Sequence, residues 1–345
     1  MLAELAAGRE ARLSRLVPAF ALPGQRDRQP LSDPYLSRKP LRFMPAEDGS
    51  VRLLRGEMAT NVSVDGEPLG ERRSLAAADI ARGTVLLLAK RVALLLHRLN
   101  PSPPKKGPSW GLIGDSDLMV RLRQEIAREA DLAGLLLLRG EPGTGKALLA
   151  GAIHEAGPRR ERAYVALDLA ALPPAAAGAE MFADAFSRAR GGTLFLRRVG
   201  ETPPAVQSML LGALDSGEEQ GAGVRVIAAT DADVERSGQF PAALLQRLGG
   251  SEIRLPSLRE RRDDVGRLFF HFFHQELEAR GEAGRLRVGP EENPFVPAAL
   301  VARLAGLDWP GNVRQLRDVV RQIDEASRGT AEAWISPQAE ALLAP

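Results

Sequence analysis

One loop limits the possible folds of this chain more than any other feature. Residues 140–146 read Gly-Glu-Pro-Gly-Thr-Gly-Lys, between an apolar run at 135–138 and a helical pattern at 147–153. Such a turn between a buried strand and a helix surrounds a phosphate with backbone N–H groups, and its lysine reaches the terminal phosphates. The loop predicts an α/β nucleotide-binding fold, and a glycine-rich turn without a ligand is the alternative. Ala147 stands where the general pattern has a Ser or Thr that holds Mg2+, so a Mg2+ site is doubtful.

The composition excludes several other classes of protein. The 345 residues contain no cysteine, which rules out disulfides and thiolate catalysis and agrees with a reducing, cytoplasmic setting. A formal net charge of +2 gives no global basic field for nucleic acid. The first six residues have neither an apolar signal core nor a basic lead-in, and no apolar run is long enough to cross a bilayer. His271 and His274 are typical of a packed aromatic helix rather than a metal site, and we predict no metal ligands.

The chain from residue 110 onwards alternates between apolar runs and helical patterns. Continuous apolar strands with helices between them predict a parallel sheet covered on both faces. The nucleotide loop then lies at the carboxyl ends of the strands. The strand candidates are 135–138, 164–167, 193–196, 224–228 and 253–255, and the helical patterns include 119–127, 147–153 and 205–214.

Residues 1–98 instead predict a β-sandwich. Short, partly alternating runs at 41–44, 50–54 and 61–64 are bounded by Asp-Gly turns at 48–49 and 65–66. The runs 85–88 and 92–96 fit a terminal hairpin, and a buried helix is the competing interpretation. Four prolines and two lysines at 99–109 then predict a semi-stiff linker, since they fit neither a helix nor a central strand.

Six ordered stretches carry a family resemblance: 111–116, 140–146, 191–196, 224–230, 255–261 and 309–316. In order and rough spacing they resemble the AAA+ domain of sigma-54-dependent transcriptional activators, which are ring-forming ATPases that remodel RNA polymerase carrying sigma-54. The resemblance implies an αβα core at 110–258, a helical lid at 259–325 and a short tail at 326–345. It also implies a site for ATP or ADP formed by Ile113, Gly114, Gly140, Glu141, Pro142, Gly143, Thr144, Gly145, Lys146, Ala147 and Arg314. The alternative for Arg314 is a charge on a helix surface.

The chain departs from this family where hydrolysis takes place. The family has an Asp-Glu pair after the third strand, and this chain has Arg197 and Arg198. Arginines neither bind Mg2+ nor act as a general base, so we expect hydrolysis to be absent or very slow. The two arginines either pair with bound phosphates or point to solvent. Glu201 and Asp231 are the nearest, weak candidates for a replacement acid, and Asp231 stands where the family usually has Asn.

Three further departures concern partners of the AAA+ domain. Of two arginines that reach the neighbouring subunit's nucleotide in the family, the first is Pro241 here and the second is retained as Arg247. The segment 172–191 is too short for the family's sigma-54-contacting loop. The residues after Ser327 leave no room for a DNA-recognition helix, so we expect no DNA-binding domain in this sequence.

Most of residues 9–98 resemble a forkhead-associated (FHA) domain, a β-sandwich that binds phosphothreonine through its loops. Arg15 and Ser37 match the two phosphate-contacting positions, and Arg38 and Asn61 complete the implied phosphopeptide site. The family's His and Gly are replaced by Pro40 and Val62. A structural or dimerising role is the alternative to phosphopeptide binding.

Three hypotheses follow from the sequence. The first is a degenerate member of the sigma-54 activator group that binds nucleotide, hydrolyses it poorly and acts in assemblies with AAA+ relatives. The second is a working ATPase activator of sigma-54 RNA polymerase with acids from unexpected positions. The third is a non-enzymatic phosphothreonine adaptor in which the AAA+ fold is a scaffold.

Overall fold

The structure is a computed structural model that describes residues 6–21, 28–98, 108–132, 134–173, 176–202, 207–208, 210–212, 223–231, 246–247, 250–286 and 293–343. The chain divides into two compact units. Met1–Pro103, Leu258–Pro310 and Gln315–Pro345 form the first unit, and Pro104–Ser257 with Gly311–Arg314 form the second. The domain limits drawn from the sequence remain predictions.

The N-terminal part of the first unit consists of two four-stranded sheets with the orders β1-β4-β5-β8 and β10-β9-β6-β7, beside a small β2-β3 pair. All strand pairs in these sheets are antiparallel. The two sheets share one apolar core, in which Leu41, Leu53, Val64 and Leu88 are fully buried. The strands are β1 (Ala11–Leu13), β2 (Phe20–Ala21), β3 (Arg28–Gln29), β4 (Leu41–Pro45), β5 (Val51–Leu54), β6 (Val62–Val64), β7 (Glu67–Pro68), β8 (Arg72–Leu75), β9 (Thr84–Leu88) and β10 (Val92–Leu96), with helix α1 (Ala77–Arg82) before β9.

The terminal hairpin predicted from the sequence is confirmed, and the competing helix is wrong. Strands β9 and β10 pair antiparallel, from Thr84 opposite Leu96 to Leu88 opposite Val92. Leu86 and Leu88 on β9 belong to the buried core, and the half-buried Leu94 and Leu96 on β10 pack against it. Strand formation therefore lets this hairpin complete the second sheet.

The first unit also contains helices from the C-terminal part of the chain. They are α5 (Val265–Ala279), α6 (Ala298–Ala305), α7 (Asn312–Ala326, whose first three residues group with the second unit) and α8 (Pro337–Leu343). A 3-10 segment, Leu258–Asp264, precedes α5. The aromatic run on α5 forms a helix as predicted, with Phe269 and Phe273 fully buried and stacked at 5.3 Å between ring centroids. Helix α6 packs against β9 and β10.

The second unit contains the parallel sheet that the sequence predicts. Its order is β12-β13-β14-β11-β15, and every neighbouring pair is parallel. Apolar clusters cover both faces, because Leu137 packs in one cluster and its neighbours Leu136 and Leu138 pack in the other. The strands are β11 (Leu136–Arg139), β12 (Tyr164–Asp168), β13 (Thr193–Arg197), β14 (Arg225–Thr230) and β15 (Glu252–Arg254), and the helices are α2 (Asp117–Ala130), α3 (Lys146–Ala156) and α4 (Ala176–Arg188).

This strand order determines which loops meet at the carboxyl edge of the sheet. Strand β11 lies between β14 and β15, and its last residue, Arg139, pairs with Thr230 at the end of β14. Strand β13 lies on the other side of β14, next to β12. The loop after β11 is therefore adjacent to the residue that follows β14, which is Asp231.

Some predictions fall outside the residues that the structure describes. They include Pro241, most of the linker at 99–109 and part of the predicted helix at 205–214. No helix in the described part of the chain combines the length and the apolar character that a membrane crossing needs.

Candidate nucleotide site

The loop at 140–146 has the backbone of a phosphate-binding turn. Gly143 and Gly145 have φ angles of +77° and +108°, which glycine adopts without the strain that other residues incur. The Thr144 hydroxyl donates to the Glu141 carbonyl at 2.8 Å and thereby closes the turn. Helix α3 begins at Lys146, so its first N–H groups are directed towards the loop.

A second segment, Gly311–Arg314, lies directly against the tip of this loop. The backbone N–H groups of Val313 and Arg314 both donate to the Gly143 carbonyl, at 3.1 and 3.3 Å. The approach is so close that a Cβ atom on Gly143 would lie 2.2 Å from the Gly311 carbonyl oxygen. Gly143 is thus required for two reasons, its left-handed backbone and the contact with Gly311.

Asn312 fixes the same contact with its side chain. Its amide is fully buried, and Nδ2 donates to Glu141 Oε2 at 3.1 Å and to the Pro142 carbonyl at 3.0 Å. The sequence resemblance assigned Glu141 to the nucleotide, whereas the structure gives its carboxylate a partner within the protein. The Trp-Pro-Gly-Asn motif was the only sequence signal for Asn312.

Arg314 and Ala147 both lie at the surface of the loop region. The Arg314 side chain is exposed, and its backbone is bound to Gly143. Ala147 is the second residue of α3 and is exposed beside Lys146. The chain therefore presents a guanidinium and a methyl group near the loop, and no hydroxyl follows the lysine.

Ile113 and Gly114 belong to a segment held by an arginine that the sequence did not reveal. Arg123, on α2, is buried and donates from Nη2 to the carbonyls of Leu112 at 2.8 Å and Gly114 at 2.6 Å. Gly114 has a φ angle of +132°. The segment is consequently fixed in shape, with Ile113 half-buried.

Lys146 has protein partners for its whole ammonium group. Its Nζ donates to the carbonyls of Gly140 and Glu141 at 2.8 and 2.9 Å, and it forms an ion pair with Asp231. The two charged side chains are 12% and 25% exposed. The sequence analysis offers Asp231 as a weak candidate for a replacement acid, and the structure adds that its carboxylate contacts the lysine.

The two arginines after β13 meet a carboxylate from the neighbouring strand. Arg198 donates to Asp168 through Nε at 2.8 Å, and its Nη2 lies 2.7 Å from the second carboxylate oxygen. Arg197 Nη1 is 3.9 Å from Asp168. The hydrogen bond from Arg198 lowers the pKa of Asp168 below its ordinary value. Neither sequence interpretation, phosphate pairing or solvent exposure alone, included this ion pair, although Arg197 and Arg198 are 50% and 41% exposed.

These residues fit a nucleotide phosphate but do not fit Mg2+. The glycine turn, the start of α3 and Lys146 are the donors that a phosphate requires. Magnesium prefers oxygen ligands, yet the positions in question hold Ala147, Arg197 and Arg198, and the nearby Asp168 carboxylate is occupied by arginine.

The remaining candidates of this unit are not assembled into the site by the described contacts. The Glu201 side chain lies outside the described residues, although its backbone is in a 3-10 turn, Val199–Glu201. Arg247 is half-buried in a helical stretch of which the structure describes only two residues. Their predicted roles stay predictions.

The candidate phosphopeptide residues lie on connected loops of the sandwich. The Arg15 N–H donates to the Ser37 carbonyl at 3.0 Å, and the Ser37 N–H donates to the Thr60 hydroxyl at 2.7 Å. Asn61 follows Thr60 and is exposed, as is Arg38. The structure therefore brings together three loops that are far apart in sequence, and Thr60 is a buried link that the sequence did not indicate.

Comparison with known proteins identifies the second unit and the helices that follow it. Residues 112–254 match the family described as the sigma-54 interaction domain, and residues 259–337 match the AAA+ ATPase lid domain. The transcriptional regulator NtrC of Salmonella typhimurium is 36% identical over 248 residues, which cover 65% of this chain and 51% of that protein. The nitric oxide reductase transcription regulator NorR2 of Cupriavidus necator is 34% identical over 323 residues, 79% of this chain and 60% of that protein.

Solved structures give the same result. NtrX of Brucella abortus in complex with ADP superposes with a TM-score of 0.55 at 28% identity, covering 68% of this chain and 56% of that one. Its complex with ATP gives a TM-score of 0.55 at 29% identity, with 66% and 56% covered. The chain spans about half the length of the curated relatives it matches. Residues 112–337 belong to the sigma-54 interaction domain family with its AAA+ lid, the family of the sigma-54-dependent transcriptional activators.

Proposed function

We propose that this chain is a transcription regulator of the sigma-54 type that binds ATP or ADP and hydrolyses it slowly or not at all. One observation carries the proposal: the phosphate loop with Lys146 lies on the same sheet edge as Arg197 and Arg198, which occupy the positions of the metal-binding acids. The ADP and ATP complexes of the similar NtrX structures support the nucleotide as ligand.

The loss of hydrolysis follows from charge and geometry. Phosphoryl transfer in this class of site needs a metal ion to neutralise developing charge and a base or polar group to orient water. Arg198 is paired with Asp168, and Asp231 is paired with Lys146, so these two carboxylates are neutralised by cations of the protein. Neither of them is left to organise Mg2+ or water.

A protein of this kind acts on transcription through assembly. The family forms rings of AAA+ subunits. Of the two arginines that act on a neighbouring subunit in the family, this chain retains the second, Arg247. We propose that the chain joins homo- or hetero-oligomers of AAA+ subunits and modulates them. Contact with sigma-54 RNA polymerase is inferred from the family alone.

The direct test is a nucleotide titration with a parallel assay of phosphate release. The unmodified protein should bind ATP or ADP saturably. Lys146→Ala should lose that binding because the loop at 140–146 loses its cation. Lys90→Ala, at an exposed lysine in the β9–β10 turn, is the matched control and should bind normally. Phosphate release should not exceed that of Lys146→Ala, and robust turnover that depends on Lys146 would instead identify a working ATPase.

A second candidate function is phosphothreonine binding by the sandwich. It is favoured by the loop contacts that join Arg15, Ser37 and Thr60 beside the exposed Asn61. A guanidinium and a hydroxyl at one site suit a phosphate group. This proposal assigns the sandwich an FHA-like identity and a phosphothreonine protein as partner.

Peptide capture tests this second function. A phosphothreonine peptide library should bind the full chain, its unphosphorylated counterpart should not, and Arg15→Ala should weaken binding at least tenfold (about 1.4 kcal/mol). Arg12→Ala removes an exposed arginine on β1 and serves as the control. Equal capture by the Arg15→Ala protein would exclude this role and leave a structural one.

A further inference from the structure

The Lys146–Asp231 ion pair has a consequence for which nucleotide the loop accepts. Asp231 directly follows Thr230, the last residue of β14, and Thr230 pairs with Arg139 at the start of the loop. This register places the Asp231 carboxylate at the carboxyl edge of the sheet, in contact with the ammonium group that must bind the terminal phosphates. An incoming phosphate must therefore share Lys146 with a carboxylate.

The free-energy cost of sharing Lys146 between Asp231 and a phosphate depends on the charge of the ligand. Lys146 contributes one positive charge and Asp231 one negative charge, so the pair offers the phosphates no net charge. Each additional phosphate near Asp231 adds repulsion, and the effect is strong because both side chains are mostly buried. A magnesium ion would ordinarily offset this repulsion, but the residues at the metal positions are Ala147, Arg197 and Arg198.

The described contacts of the two nearby arginines are with a different carboxylate. Arg198 makes a bidentate contact with Asp168, and Arg197 lies within ion-pair distance of the same carboxylate. Asp168 is on β12, which is separated from β14 by β13. The positive charges that replaced the metal-binding acids are thus directed to a carboxylate two strands away from Asp231.

We infer that this site prefers a nucleoside diphosphate to the triphosphate, and that Asp231 is the residue that sets the preference. The inference rests on the proposed nucleotide binding at Lys146. A diphosphate places its last phosphate at the lysine and ends there, whereas a triphosphate adds a further anionic group beside the Asp231 carboxylate. The chain would then respond to the ratio of the two nucleotides without turning one into the other.

The test compares ADP and ATP titrations by calorimetry on the full chain, with and without Mg2+. The unmodified protein should bind ADP on the order of tenfold more tightly than ATP, which is only part of the repulsion between two unit charges in contact, because solvent and counterions screen the added phosphate. Asp231→Asn should raise ATP affinity on the order of tenfold and remove the preference. Asp231→Glu keeps the charge and should retain it, which separates charge from shape. The melting temperature of each variant shows that it is folded.

The outcomes distinguish the inference from the proposed function. Equal affinity for ADP and ATP, with both lost in Lys146→Ala, overturns the selectivity while leaving nucleotide binding intact. An unchanged preference in Asp231→Asn overturns the role of Asp231. Absence of binding for both nucleotides, in the unmodified protein and in Asp231→Asn alike, overturns the proposed function and the inference together.

Discussion

Asp168 shows how the partner of a residue can change the interpretation of a sequence motif. Two arginines in place of a metal-binding pair were expected to interact with phosphate or with water, and the structure instead pairs Arg198 with a carboxylate on the adjacent strand. Asp168 lies opposite Arg197 in the parallel register of β12 and β13. That relation depends on the order of strands in the sheet, which the local sequence around either residue does not contain.

The Asp168–Arg198 pair predicts a pH dependence of stability. Because the folded pKa of Asp168 lies below its ordinary value, the stabilisation is fully present above the ordinary carboxylate pKa of about 3.9 and is lost as the pH falls through the lowered one. Arg198 is 41% exposed, so solvent screening limits the contribution to about 1 kcal/mol. Asp168→Asn should lower the melting temperature by about 2–4 °C at pH 7.

Calorimetric melting at pH 7, 5, 4 and 3 checks this expectation. The difference in melting temperature between Asp168→Asn and the unmodified protein should stay constant from pH 7 to 5 and shrink below pH 4. Asp184→Asn is the control, since Asp184 forms an ion pair with Arg188 in which both side chains are about two-thirds exposed. A difference in melting temperature that persists unchanged at pH 3 would contradict the assigned role of Asp168.

At the scale of elements, the sequence predicted the parallel sheet well and its contacts poorly. All five predicted strands in residues 135–255 are present, shifted by at most two residues at either end, because continuous apolar runs between helices are typical of buried parallel strands. The sequence did not reveal the ties of Asn312 to Glu141, of Arg123 to Gly114, or of Asp231 to Lys146. Those contacts join residues from 9 to 171 positions apart, through side chains whose partners only the folded chain defines.

The loop and helix α3 allow a matched pair of glycine substitutions. Gly143→Ala adds a Cβ that would lie 2.2 Å from the Gly311 carbonyl oxygen, at a φ angle of +77°, and should cost about 2 kcal/mol. Gly151 lies inside α3 with no atom within 4 Å of the position of an added Cβ. Gly151→Ala should therefore stabilise the helix by about 0.5–1 kcal/mol.

Thermal melting and a nucleotide titration of both variants check this pair. Gly143→Ala should melt earlier and lose nucleotide binding, because the backbone must move away from Gly311. Gly151→Ala should melt later and bind as the unmodified protein does. If Gly143→Ala were as stable as the parent chain, the close approach of Gly311 would not exist in solution.

At the scale of the whole molecule, the sandwich and the lid helices belong to one compact unit. Helix α6 packs on strands β9 and β10, and a Cβ added at Gly83, before β9, would lie 3.7 Å from Arg262 of the segment that precedes α5. Arg91, in the β9–β10 turn, makes a polar link between the sandwich and the lid sequence. It pairs with Asp33 at 3.1 Å, lies over the Tyr35 ring, and donates to Asn293 Oδ1 at 3.0 Å. Asp33 opens the loop that carries Ser37, so one arginine contacts both the candidate phosphopeptide loop and the lid sequence.

A double-mutant cycle on Arg91 and Asn293 tests whether this link contributes to folding. Arg91→Ala should destabilise the first unit by about 2 kcal/mol, since it removes a partly buried ion pair, a cation–π contact and the bond to Asn293. Asn293→Ala should cost about 1 kcal/mol, and the double variant should cost less than the sum by about 0.5–1 kcal/mol.

Arg82→Ala, which breaks an exposed ion pair with Asp79 within α1, is the control and should change stability by less than about 0.5 kcal/mol. Strict additivity of the two substitutions in urea unfolding would mean that the sandwich and the lid do not share this bond, whereas the predicted coupling would make the N-terminal sheets part of the folding unit that carries the lid.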